Sequence, residues 1–408
     1  MLNKKYFSVV TCLFMAGNLY ASDIPRVILA PPCLLKNMSN EYQLLSSKNG
    51  LSLIQIENKN VVKLIAAKHQ QITPCGGFKD VTSEWNKDSK RNLQSNLSDR
   101  SSRFLSAQLA QKTVMQTQKA EPYQIKYIDQ TKPVVAKINP ESIWLDLTTL
   151  SDFHNRNAQS DYGVEAVNWV KNQLTQAASD RKDVTFTFVP TEDYKQSSLV
   201  MKIGESNEPG IVIGAHIDTT TLWDPSSDNR EPGADDDGSG SVTILQAAKV
   251  LLSSHLTFKK PIYFIWYAAE EEGLIGSQEV VRKFRKDNIP VSEVIQFDMT
   301  GYTYHNEKTL WLLDDHTNKE LTSYLEKLIT TYVNKEVKHT RCGYGCSDHA
   351  SWNDYGFTVS MATETSFSHM NKAIHGSADT MDKLSQEHIT DFAKLAAAFA
   401  VELAEPIS

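Results

Sequence analysis

Cysteine is scarce in this chain, with five in 408 residues. One of them, Cys12, lies in an apolar N-terminal run with no small residue before it, which argues against a lipid-anchored terminus. The other four, Cys33, Cys75, Cys342 and Cys346, are an even number suited to an oxidising compartment. The expected disulfides are Cys33–Cys75 and Cys342–Cys346. No second closely spaced pair accompanies Cys342 and Cys346, so a four-thiolate metal site is not provided for. Long apolar runs are missing too: past the leader, nothing approaches the roughly 18 uninterrupted apolar residues of a membrane-spanning helix. Nor is there a basic excess. Lys and Arg number 42 against 49 Asp and Glu, a formal charge of −7, which leaves a nucleic-acid footprint without its charge. Internal repeats and low-complexity tracts are also absent, so repeat architectures drop out.

What is present begins with the leader. Lys4 and Lys5 precede an apolar stretch from Tyr6 to Gly17, and Ala21 stands before Ser22. That pattern predicts a signal peptide over residues 1–21 and a mature protein exported to the periplasm or the outside, soluble and without a membrane anchor. From Ser22 to about Glu84, short strand-like pieces such as Leu51–Ile56 alternate with turns. Trp85 to Glu121 is poor in large apolar side chains and reads as a linker or exposed cleavage region. Residues 22–121 are therefore expected to form a small module, either a pro-segment or a permanent accessory unit. As a pro-segment it would restrain activity by covering the cleft or slowing entry to it.

Residues 122–408 read as a second, larger domain. Helical spacing marks Pro140–Leu150, Gly163–Ala178, Ser239–Ser253, Thr317–Tyr332 and Ile389–Leu403. Strands are expected at Val184–Val189, Ser198–Ile203, Gly210–Ala215, Pro261–Ala268, Val294–Phe297, Thr309–Leu313 and Phe357–Ala362. The alternation predicts an α/β fold, a mostly parallel central sheet with helices on both faces.

The stretch from Gly210 to Gly238 carries the chemistry. An apolar strand delivers His216 and Asp218, two apart and so on one side. Asp235, Asp236 and Asp237 follow, ahead of Gly-Ser-Gly. Three adjacent acids repel one another unless a cation lies among them. Further along, Glu270, Glu271 and Glu272 follow one strand and Asp298 another. Ligand sites in open α/β sheets form beyond the carboxyl ends of strands. Imidazole together with carboxylate suits zinc, with cobalt or manganese compatible.

Taken in order, GAHID, GADDDGSG, YAAEEEGLIGS, QFDMTGY, CGYGCSDHASW and IH resemble the secreted bacterial leucyl aminopeptidases, two-zinc exopeptidases. The likeness covers roughly Pro140 to Ala404; the N-terminal third carries no such motif. The resemblance implies two zinc ions per chain, one held by His216 and Asp298, the other by Glu271 and His375, with Asp236 bridging. A water shared between the ions completes the site, and Glu270 serves as general base. Asp218 would orient His216 by accepting from its non-ligating nitrogen, and the Asp236–Asp237 peptide would be cis. Tyr344 matches a residue that contacts the reacting carbonyl. Met299, Cys342, Cys346, Met361, Phe367 and Ile374 match an apolar pocket for the first side chain. Thr363 and Met370 stand where relatives carry aromatics, which leaves the pocket's preference open. His349 reads as structural and Glu272 as a solvated charge.

The implied activity is removal of apolar, leucine-like residues from peptides with a free N-terminus, by a monomer that needs no nucleic acid. Two alternatives stay open. One is a carboxypeptidase or glutaminyl cyclase of the same fold, the former needing an added Arg and the latter a spoiled two-metal set. The other is a binding protein that kept the fold and lost its metals.

Overall fold

The computed structural model describes residues 25–36, 38, 41–69, 78–91, 96–110, 122–221 and 228–407. The leader and Cys75 lie outside these, and with them the signal-peptide and Cys33–Cys75 expectations.

Strands β5 (Val184–Val189), β6 (Ser198–Ile203), β7 (Gly210–His216), β8 (Ile262–Tyr267), β9 (Val291–Phe297), β10 (Leu310–Leu313), β11 (Val337–Thr340) and β12 (Thr358–Thr363) form one sheet, in the order β11-β10-β12-β9-β7-β8-β6-β5. The four central strands β8, β7, β9 and β12 run parallel; β6 joins β8, and β10 joins β12, antiparallel. Alternation along the strands splits the core into two layers. Ile211, Ile213 and Ala215 of β7, with Ile262, Phe264 and Trp266 of β8, face helices α5 (Pro140–Asp152), α6 (Asp161–Ala177), α7 (Gly240–Ser254), α9 (Lys319–Leu328) and α11 (Gln386–Ala404). Val212, Tyr263, Ile265 and Tyr267 face α8 (Ile275–Lys286) and α10 (His349–Asp354). Each buried Val, Ile or Phe here stabilises by about 1.5–3 kcal/mol, which is why both faces of the central strands read as unbroken apolar runs. A short helix, α4 (Ile128–Val135), packs on α11.

The N-terminal module has its own antiparallel sheet, β1 (Arg26–Ala30), β2 (Tyr42–Lys48), β3 (Leu51–Ile56) and β4 (Lys79–Asp80), ordered β2-β3-β1-β4. Helix α1 (Asn58–His69) supplies Val61 and Leu64 to the layer with Ile28, Ile54 and Ile56. Of the stretch expected as a linker, Trp85 to Glu121, the described part is helical and packed rather than exposed, while residues 92–95 and 111–121 lie outside the described residues. Residues Thr82–Arg91 form α2 and Leu97–Ala110 form α3, and both close the sheet's other face. Trp85, Phe104 and Leu105 pack there on Val27, Leu29 and Leu53, with the Trp85 and Phe104 rings edge-on at 5.3 Å and Arg100 over the indole at 4.0 Å. A few large side chains suffice to anchor two otherwise polar helices, so composition understated the segment.

Candidate active site

Parallel strands end at one edge of the sheet, and that geometry gathers the predicted ligands. His216 closes β7; the turn after β8 carries Glu270 to Glu272; Asp298 follows β9. His375 arrives on the segment between β12 and α11, at φ +57°. His216, Asp236, Glu270, Glu271, Asp298 and His375 are all buried, and they make three groups whose ligand atoms lie within 4.8 Å of one another. The Asp236–Asp237 peptide is cis.

Asp236 stands between the two imidazoles. Its Oδ1 lies 3.0 Å from Nε2 of His216, and its Oδ2 lies 2.7 Å from Nε2 of His375. Asp298 approaches the first imidazole at 3.7 Å and Glu271 the second at 3.1 Å. Burial alone would lower His375, yet the Glu271 and Asp236 carboxylates raise it to about 10. His216 is raised well above its usual value by Asp298, Asp218 and Asp236 in the same contest with burial. Four carboxylates and two imidazoles sharing one buried space form a donor set fitted to divalent cations with nitrogen and oxygen preference, zinc foremost.

The neighbouring acids each have a separate task. Asp237 accepts from the backbone N–H groups of His216, Gly240 and Met299, joining β7, the start of α7 and the end of β9. Asp235 accepts from Asn371 Nδ2 at 2.9 Å and from the Gly301 N–H. Asp218 places Oδ1 3.5 Å from Nδ1 of His216, while its two oxygens accept from the Glu270 and Glu271 N–H groups at 3.0 and 3.1 Å. Sequence reasoning placed Asp218 beside His216 but missed its hold on the turn that carries Glu270.

Next to the acids opens a pocket lined by Met299, Leu313, Tyr344, Cys346, Met361, Thr363, Phe367, Met370 and Ile374. Tyr344 packs edge-on against Phe367 at 5.9 Å. The Cys342–Cys346 disulfide is formed and brackets Tyr344; Cys342 lies behind the wall in the same apolar cluster. His349 is fully buried beside His316 and belongs to none of the three groups.

Glu272 is not a solvated charge. It is half-buried, accepts from the Tyr194 hydroxyl at 3.4 Å and feels the Arg26 charge of the N-terminal module. Two further residues escaped the sequence reading. Asp379 accepts from the Asp235 and Asp236 N–H groups; an acid four places after His375 was the available signal. Arg156 is fully buried, and its guanidinium donates to the carbonyls of Leu150, Ile217, Pro232 and Gly233. No sequence signal marks it, since all its acceptors are backbone.

The family described as Peptidase family M28 matches residues 198–400. Leucine aminopeptidase 1 of Emericella nidulans is 37% identical over 295 residues, 69% of this chain and 75% of that protein. Among solved structures, the Legionella pneumophila LapA aminopeptidase is 41% identical with a TM-score of 0.85, covering 95% of this chain and all of that one. LapB from the same organism is 37% identical with a TM-score of 0.83, covering 93% of this chain and all of that one. Both likenesses extend through the N-terminal module as well as the catalytic unit. The chain belongs to peptidase family M28 and is an aminopeptidase, a hydrolase.

Proposed function

We propose that this is an exported two-zinc aminopeptidase that removes apolar, leucine-like N-terminal residues from peptides and acts as a monomer. The observation that carries the reading is the placement of Asp236, with one carboxylate oxygen toward each imidazole. His216 and Asp298 would hold one ion, Glu271 and His375 the other, and Asp236 would belong to both. Zinc bound there would lower the pKa of water and polarise the scissile carbonyl.

The remaining work falls to side chains. Glu270, on the turn fixed by Asp218, takes the proton of the attacking water and returns it to the leaving amine. By geometry Glu270 also lies within ligand reach of His216 and Glu271, so its role as base rests on the family resemblance. Tyr344 would hold the substrate carbonyl from the pocket wall, and Met299, Met361, Phe367 and Ile374 would receive the first side chain. Carboxylates at the pocket's end favour a free ammonium and disfavour an acidic first residue. Export rests on the leader alone. The N-terminal module stays, in this reading, a pro-segment or an accessory unit; among the described residues, none from it lines the pocket beside the acids.

Elemental analysis of zinc-saturated protein should find about two ions per chain, and Asp236→Ala should lose metal. Chelation should abolish release of leucine from a free-amine chromogen, while the N-acetylated compound is not cut. One tightly bound ion would favour the cyclase reading. Efficient cleavage of blocked peptides would rule out the aminopeptidase mechanism.

A further inference from the structure

The turn after β8 has two sides. Toward the cleft, Asp218 holds the Glu270 and Glu271 N–H groups. On the far side it meets the N-terminal module. The Asp80 N–H donates to the Gly273 carbonyl at 3.2 Å, and Gln278 Nε2 donates both to that carbonyl and to the Asp80 carbonyl at 3.1 Å. Gly273 sits at φ +105°, where an added Cβ would lie 3.0 Å from the Asp80 nitrogen and 3.0 Å from the Phe78 ring. Module backbone and catalytic turn are therefore in direct contact, at a position that only glycine fills without strain.

A second link runs through side chains. Arg26, buried in the module, is 3.7 Å from Asp80 and donates to the Tyr194 hydroxyl at 3.4 Å; that hydroxyl donates to Glu272. The Tyr194 ring packs on Ala158, Ala269 and Ile275, the last two flanking the turn. We propose that the N-terminal module is a positioning element of the active site, holding the Glu270–Gly273 turn from behind through Asp80 and the Arg26–Tyr194–Glu272 chain. The proposal rests on the aminopeptidase reading, with Glu270 as the base. It gives the module a role opposite in sign to a pro-segment: undocking it should slow the chemistry. A base must lie within hydrogen-bond reach of its proton, and small displacements of such groups are costly.

Three variants of the full chain test it. Tyr194→Phe deletes one oxygen and keeps the ring packing; Arg26→Gln removes the cation; Gly273→Ala pushes Asp80 off the turn. Each should lower kcat for leucyl chromogen about five- to tenfold with KM and zinc content unchanged, and Arg26→Lys should recover part of the loss. Glu84→Gln breaks the module's ion pair with Arg282 on α8, which is not a contact to the turn itself, and should leave kcat alone. Unchanged kcat in the first three variants overturns the proposal, even if their melting temperatures fall. So does a drop of equal size in Glu84→Gln, which would report docking in general, or a rise in kcat, which would mark the module as a restraint. If wild type shows no chelator-sensitive release from free-amine substrates, the underlying aminopeptidase reading fails instead, and that result is read before any variant is made.

Discussion

Replacing Arg156 by Met should unfold the site before it touches the chemistry. The guanidinium ties three segments together: the end of α5 through Leu150, the link between His216 and Asp218 through Ile217, and the approach to Asp236 through Pro232 and Gly233. Burial, its largest influence, lowers its pKa to about 10 against the pull of Asp379, Asp237, Asp218 and Asp236, so it stays charged at neutral pH. Met fills much of the volume but takes the guanidinium from the Leu150, Ile217 and Pro232 carbonyls, each worth about 1–3 kcal/mol when orphaned, while the Gly233 carbonyl keeps the Gly238 N–H. Against this, the cost of burying the charge disappears. Breaking a buried charged network by removing one partner costs about 3–5 kcal/mol net, and that is the expected loss. For a stability of about 5–15 kcal/mol it is a large fraction.

Urea unfolding of the chelated protein, followed by tryptophan fluorescence, reads this directly through the buried Trp266 and Trp352. Arg156→Lys separates geometry from charge. A lysine keeps the cation but loses the planar fork, so it should still weaken zinc affinity at least about tenfold if spacing between His216 and Asp236 is what Arg156 sets. A Met variant within about 1 kcal/mol of wild type, or a Lys variant with wild-type zinc affinity, would refute the reasoning.

Glu270→Gln should lower turnover by about two to four orders of magnitude while both zinc ions stay bound, since a base is lost and no proposed ligand is; metal analysis beside kinetics checks both halves. His349 should govern part of the acid response. Burial, then His316, lowers its pKa from 6.5 to about 3, with Asp315 and Asp354 pulling weakly the other way. It is neutral in the folded chain, so the unfolded chain gains a proton below pH 6.5 that the folded one refuses, and stability is lost as pH falls through that window. At pH 5 the penalty is about 2 kcal/mol. His349→Gln should therefore gain about that much relative to wild type between pH 7 and pH 5, measured by urea unfolding at each pH; a pH-independent difference would count against a buried neutral imidazole.

The strands were legible wherever burial on both faces left an unbroken apolar run, as in Ile262–Tyr267 and Gly210–His216. Helix α8 was not, because Gly276, Ser277 and Gln278 interrupt its buried face between Ile275 and Val280 and blur the apolar rhythm. The cluster of His216, Asp236, Glu270, Glu271, Asp298 and His375 was legible as a cluster because its members sit on strand ends or on short motifs. The contacts of Glu272 were not, because Arg26 lies far away in sequence and Tyr194 on another loop. Arg156 is the limiting case: a side chain that bonds only backbone leaves no partner residue type to search for.

The run Asp235-Asp236-Asp237 shows why three adjacent acids are tolerated. A strand would place their side chains alternately, but the backbone here turns sharply, and each carboxylate enters a different set of donors. Asp235 takes Asn371 and the Gly301 N–H; Asp237 takes N–H groups from three elements; only Asp236 is left facing imidazoles. The outer two are satisfied by dipoles and need no metal, while the middle one has its backbone N–H held by Asp379 and its oxygens directed at His216 and His375. Replacing Asp235 or Asp237 should thus disturb folding first, and replacing Asp236 should disturb metal binding first. The same residue type does opposite work because the donors around it differ.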